Sequence, residues 1–84
     1  MYNIDLKKSA QKDLDRINEP DFSRIINSIK LLSQNPRNIN VKKLVSKENE
    51  YRLRVGDYRV LFFIEEDTKE IKISRILHRK EAYR

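Results

Sequence analysis

A chain of 84 residues and 10.2 kDa has room for one hydrophobic core and excludes a second. The lack of cysteine excludes a disulfide framework and thiolate metal sites, a single histidine excludes a His-cluster zinc site, and no apolar run approaches the length that spans a membrane. Nineteen Lys and Arg against thirteen Asp and Glu leave a net charge of +6, a balance that suits a polyanionic partner or simply a well-solvated surface.

Residues 1–84 are expected to form a single domain. Met1-Tyr2-Asn3-Ile4-Asp5 lacks the basic-then-apolar pattern of a signal peptide, so a soluble, cytoplasmic protein is expected. Ile, Leu, Val and Phe make up about 30% of the chain, above the level at which disorder becomes the default. The basic surplus is uneven, with seven basic against five acidic residues up to Val41 and twelve against eight beyond it.

Residues 2–6 alternate apolar and polar and predict a short strand. From Lys7 the period changes, and Ala10, Leu14 and Ile17 share one helical face, predicting a helix over 7–18. Asn18-Glu19-Pro20 breaks it, and Pro20 suits the first turn of a second helix over 20–34. Phe22, Ile25, Ile26, Ile29 and Leu32 line its apolar stripe, and Asn35-Pro36 ends it. In 36–49, Val41, Leu44 and Val45 either form a short strand or pin a loop, and 46–49 reads as a turn.

The last third predicts three strands, over 50–55, 58–65 and 70–77, with turns at Gly56-Asp57 and 66–69. The expected fold class is therefore α+β: an N-terminal strand and a two-helix hairpin packed on one face of a C-terminal antiparallel sheet. A two-residue loop at Gly56-Asp57 pairs Val55 with Tyr58, Arg54 with Arg59, Leu53 with Val60 and Arg52 with Leu61. One face of that hairpin is then wholly apolar, and the other carries Arg52, Arg54 and Arg59. Like charges directly opposite destabilise a sheet, so three guanidiniums on one short patch suggest an anion with several oxygens, such as a phosphodiester. The alternative is a solvated basic face paired with nearby carboxylates. On the third strand Ile71 and Ile73 alternate inward, and strict alternation would bury Arg75 and expose Ile76. A β-bulge near Ser74-Arg75 would return Ile76 to the core and send Arg79 to the arginine face.

Tyr51-Arg52-Leu53-Arg54-Val55-Gly56-Asp57-Tyr58-Arg59-Val60, together with Leu77-His78-Arg79-Lys80-Glu81-Ala82-Tyr83, resembles the RelE branch of the RelE/ParE toxin superfamily. Leu32, Asn35-Pro36 and Lys43-Leu44 resemble that family's linker, so the likeness runs over essentially the whole chain. The resemblance implies the toxic half of a type II toxin–antitoxin system. Such a toxin enters the ribosomal A site and cuts mRNA by 2′-OH attack on the adjacent phosphate, and a RelB-like antitoxin blocks it.

Carried over by motif, Arg54, Arg59, Arg79 and Tyr83 are the implied catalytic residues, with Arg52, Lys43 and Lys80 on phosphates. Tyr83 would stack on a base; otherwise it pins the chain end to the sheet. Some relatives have Lys where this chain has Arg52 and Arg54, and an arginine stays protonated and cannot act as a base. His78 and Glu81 are the candidate acid/base groups beside Tyr83, although alternation points His78 toward the core; the ribosome could supply the base instead. The resemblance implies no metal and no small-molecule cofactor, and partners limited to antitoxin, ribosome and mRNA. Two other functions fit the same pattern: a ParE-like inhibitor of DNA gyrase, and a basic RNA- or antitoxin-binding module that has lost its chemistry.

Overall fold

In a computed structural model, which describes residues 1–38, 40–44 and 49–82, the apolar stripes of both helices and one face of the sheet close on a shared core. The elements are β1 (Asn3–Leu6), α1 (Lys8–Asp15), α2 (Asp21–Gln34), β2 (Val41–Lys43), β3 (Glu50–Val55), β4 (Tyr58–Glu65), β5 (Glu70–His78) and α3 (Arg79–Ala82). The strand at 41–43 settles the open alternative for that stretch. Val45, the expected turn at 46–48 and Tyr83 lie outside the described residues.

Helix α1 is shorter than the periodicity predicts. Lys7 is still extended and gives its N–H to the Ile73 carbonyl, so β1 pairing runs up to the first helical residue. At the other end the Arg16 and Ile17 amides fall back on Asp13 and Leu14, three residues earlier, which tightens and ends the helix while Ile17 stays buried. In α2 the Glu19 carboxylate accepts the Ser23 amide at 2.8 Å, satisfying one of the first-turn donors, and those bonds hold it below the ordinary carboxylate range. Ile25, Ile29 and Leu32 are buried on the predicted stripe, whereas Phe22 sits at its margin and is exposed.

The sheet order is β1-β5-β4-β3-β2. Strands β2 to β5 pair antiparallel as expected, but β1 joins β5 in parallel, so the sheet is mixed. This pairing sets Ile4 beside Ile71 and Leu6 beside Ile73, which keeps the apolar residues of both strands on the helix-covered side. The β3–β4 register is the predicted one, from Val55 opposite Tyr58 to Arg52 opposite Leu61. At the hairpin tip Gly56 has φ +58°, a conformation glycine adopts without a steric penalty. The bulge also forms: Leu61 pairs with Arg75 and Phe62 with Ile73, leaving Ser74 as the extra residue, and Ile76 is buried.

Phe62, Ile25, Leu32, Ile64, Ile71, Ile73 and Val60 are the largest fully buried side chains. Burial of each contributes about 1.5–3 kcal/mol. Tyr51 stacks on Phe62 with ring centroids 5.7 Å apart.

A surface cluster ties distant segments together. Glu66, in the β4–β5 turn, accepts the Tyr2 hydroxyl at 2.7 Å and the Arg37 guanidinium at 2.6 Å, with Lys69 at 3.4 Å. Arg37 also lies over the Tyr51 ring, 5.6 Å from its centroid. The Tyr2 hydroxyl first, then Arg37 and Lys69, hold the Glu66 carboxyl down to about 2 from an ordinary 4.5. A depressed folded-state pKa stabilises the fold above pH 4.5, and that stabilisation disappears as pH falls toward 2. The thermal midpoint of the unchanged chain is therefore expected to exceed that of Glu66→Gln at neutral pH, and the gap to close as pH falls from 4.5 toward 2. Melting curves followed by circular dichroism across that range check this.

Candidate functional site

Alternation along the strands sorts the sheet into two faces. Tyr51, Leu53, Val60, Phe62 and Ile64 are buried under α1 and α2. The opposite, open face is arranged in rows across the strands. Arg54, Arg59 and Leu77 form the row next to the Gly56-Asp57 tip. Lys42, Arg52, Leu61 and Arg75 form the next, followed by Glu50, Phe63, Lys72 and Asp5. The far row is Glu65, Glu70 and Asn3. The face is therefore basic at the hairpin tip and acidic at the other end.

Arg54 and Arg59 stand directly opposite each other, as the hairpin register predicts. Among the described residues no side-chain hydrogen bond or ion pair neutralises Arg52 or Arg54, which disfavours the alternative of a carboxylate-paired surface. Arg59 is only 8% exposed, and its Nη1 donates to the Tyr58 carbonyl at 3.2 Å. Its guanidinium is thus held in place, while Arg54 is exposed and Arg52 half-buried. Arg75 does not belong to this cluster, because Asp13 on α1 takes its guanidinium at 2.7 and 3.1 Å.

The tail reaches the same end of the sheet. The Arg79 amide donates to the Asp57 carbonyl at 2.6 Å, and the Arg79 guanidinium lies 3.9 Å from the Asp57 carboxylate. The hairpin tip therefore holds the start of α3 two residues from Arg59. Arg79, Lys80 and Glu81 are all exposed. The family resemblance assigns Asp57 no role, although its place beside the chain's one glycine marks it as the tip of the arginine hairpin.

Two expectations need correction or qualification. Lys43 pairs with Tyr51, so it projects on the helix-covered side, away from the arginines. The lysine that register brings beside Arg52 is Lys42. His78 lies opposite Tyr58, on the covered side where alternation placed it. Its ring meets the Tyr58 ring edge-on at 5.2 Å, and its Nδ1 accepts the Lys80 amide at 3.3 Å. Burial first, then the carboxylates of Asp21, Glu81 and Asp57, raise the Tyr58 phenol above its ordinary value, so it stays neutral. Among the described residues no three His, Cys, Asp or Glu side chains gather to hold a metal ion, and no helix is long and apolar enough to cross a membrane.

Fixed guanidiniums at one end of an open sheet can bind a phosphodiester and oppose charge that builds on its oxygens. Residues 4–83 match the family described as ParE toxin of type II toxin–antitoxin system, parDE, and the chain belongs to that family. Within the RelE/ParE superfamily it is of the RelE type. It is 28% identical over 86 residues to the protein named RelE1 of Methanocaldococcus jannaschii, covering 99% of this chain and 96% of the relative. The crystal structure of the RelB-RelE antitoxin-toxin complex from Methanococcus jannaschii is similar at 34% identity and TM-score 0.75, covering 94% of each chain. The archaeal RelE-RelB complex from Pyrococcus horikoshii matches at 28% identity and TM-score 0.80, covering 93% of this chain and 94% of the other.

The register makes a sharp prediction about the two neighbouring lysines. Lys42→Ala is expected to weaken binding of a single-stranded RNA oligonucleotide and to flatten the slope of log K against log salt by about 0.7. Lys43→Ala should leave both unchanged. Fluorescence anisotropy over a salt series distinguishes them.

Proposed function

We propose that this chain is a ribosome-dependent endoribonuclease that cuts mRNA in the A site and so stops translation. The observation that carries the reading is the pairing of Arg54 with Arg59 beside the hairpin tip, with Arg52 in the next row and the Arg79 backbone docked on the tip. In the reaction a ribose 2′-oxygen forms a bond to the adjacent phosphorus as the bond to the 5′-oxygen breaks. The products are a 2′,3′-cyclic phosphate and a free 5′-hydroxyl, and the proton lost by the 2′-hydroxyl is matched by one gained at the 5′-oxygen.

Negative charge spreads over the non-bridging oxygens along this path, and prearranged cations stabilise it there. Arg59, held by its own strand, is suited to orient the phosphate, and Arg79 to meet it from the tail. Arg52 and Lys80 are assigned to flanking phosphates, and Tyr83 to stacking on a base. No arginine can serve as base. His78 is occupied by Tyr58 and the Lys80 amide on the other side of the sheet, which favours Glu81, Tyr83 or a ribosomal group for the proton transfers. The reaction needs neither metal nor cofactor. A RelB-like antitoxin is the proposed partner, by analogy with the archaeal complexes, and the cytoplasm is the proposed site of action.

Primer extension on mRNA programmed into purified ribosomes tests this reading. Cleavage within the A-site codon is expected, and none when ribosomes are omitted. Arg59→Ala and Arg79→Ala are each expected to lower the cleavage rate by about 10²–10³ while the protein stays folded. Full activity in a folded Arg79→Ala variant would overturn the assignment.

The family description favours a second reading, inhibition of DNA gyrase in the manner implied by the name ParE. It predicts loss of gyrase supercoiling activity and no ribosome-dependent cleavage. RNA bound with steep salt dependence but left uncut, with gyrase unaffected, would instead mark a binding module without chemistry.

A further inference from the structure

Strand β5 carries one residue more than β4 can pair. The extra residue, Ser74, reverses which face the following residues occupy, and only with it does Ile76 enter the core; the antiparallel pairing with β4 carries the chain on toward the hairpin tip. A bulge interrupts the ladder, so something else must hold the local backbone. Here α1 does so. Ser9 Oγ donates to the Ser74 carbonyl at 2.6 Å, while Ser74 Oγ bonds back to the Leu61 carbonyl at 3.1 Å. Asp13 accepts the Ile76 amide at 2.9 Å and the Arg75 guanidinium at 2.7 and 3.1 Å.

The Asp13 side chain is only 14% exposed. Burial alone would raise its carboxyl. The Arg75 hydrogen bond and the Ile76 amide outweigh burial and hold it below the ordinary range, so the clamp is ionised. Three residues beyond Ile76, the Arg79 amide reaches the Asp57 carbonyl at 2.6 Å. The segment 76–79 is therefore held at both ends, by α1 at one and by the hairpin tip at the other.

We propose that Asp13 is a positioning residue for Arg79: by clamping the β5 bulge from α1, it sets the path along which the tail delivers this guanidinium to the arginine cluster. The proposal rests on the reading of that cluster as a phosphodiester-cleaving site. Asp13 lies on α1, outside the arginine cluster, and acts through the bulge.

Asp13→Ala separates positioning from binding. Its single-turnover cleavage rate on A-site-programmed ribosomes is expected to fall about 10- to 100-fold, the scale of a misplacement near 1 Å. The half-saturating protein concentration should change less than about twofold, because Arg52, Arg54 and Lys42 remain in place. In the same variant, amide exchange at Arg79 should accelerate at least about tenfold while the amides of β4 stay protected. If Asp13→Ala does not fold, the Ser9→Ala/Arg75→Ala variant, which removes two of the ties and spares the Ile76 bond, carries the same measurements, with a smaller loss of rate expected. A folded variant with the full cleavage rate and unchanged Arg79 exchange overturns the proposal. If the unchanged chain does not cut at all, the cleavage reading fails, and the Arg79 exchange alone decides whether Asp13 sets the tail: acceleration upholds this, and none overturns it.

Discussion

Arg54 and Arg59 face each other across adjacent strands, and the sheet keeps them there because the other side of the same hairpin has no alternative. A slip of one residue would turn Leu53, Val60, Phe62 and Ile64 out to water. Each of those side chains contributes about 1.5–3 kcal/mol by burial. An unfavourable cross-strand pair costs about 0.2–1 kcal/mol. Burial wins by a wide margin, and the repulsion is retained as a local property of the surface. The order of the rows, the position of the tip and the place where the tail docks all follow from that register.

The tail shows how a core requirement becomes a surface geometry. Ile76 is buried only if β5 takes up an extra residue, and the extra residue fixes which face each later residue takes. Arg79 then meets the turn that carries the arginine pair. His78, between the two, is held by an aromatic neighbour and a backbone amide on the covered side. Its conspicuous place in the sequence, next to Arg79, thus reflects how the strand end is packed.

The parts of the fold that could be read in advance are those in which local pattern leaves one solution. A two-residue loop containing the only glycine, flanked by strict alternation, admits a single register, and the mismatch of Ile76 with its strand's parity called for a bulge. The parallel pairing of β1 with β5 could not be read, because alternation marks a strand without naming its neighbour. That Lys42 rather than Lys43 shares the arginine face could not be read for a related reason: Val41–Lys43 lies in a linker whose register only β3 decides. The clamp from Asp13 and Ser9 joins residues 62 to 65 positions apart and has no local signature at all.

The two ends of the open face differ in sign, and strand length makes that difference consequential. Arg59 and Glu65 stand six positions apart on β4, about 20 Å in an extended chain. Counter-ions at physiological salt damp a field within about 8 Å. The acidic end therefore cannot cancel the basic one at the distance of a nearby phosphate, and the tip presents a stronger positive field than the net charge of +6, averaged over the molecule, would indicate. Where salt is scarce the two ends are felt together, and the face behaves as a dipole. A polyanion approaching from afar then experiences a torque before it experiences contact, and the molecule turns its hairpin tip toward it.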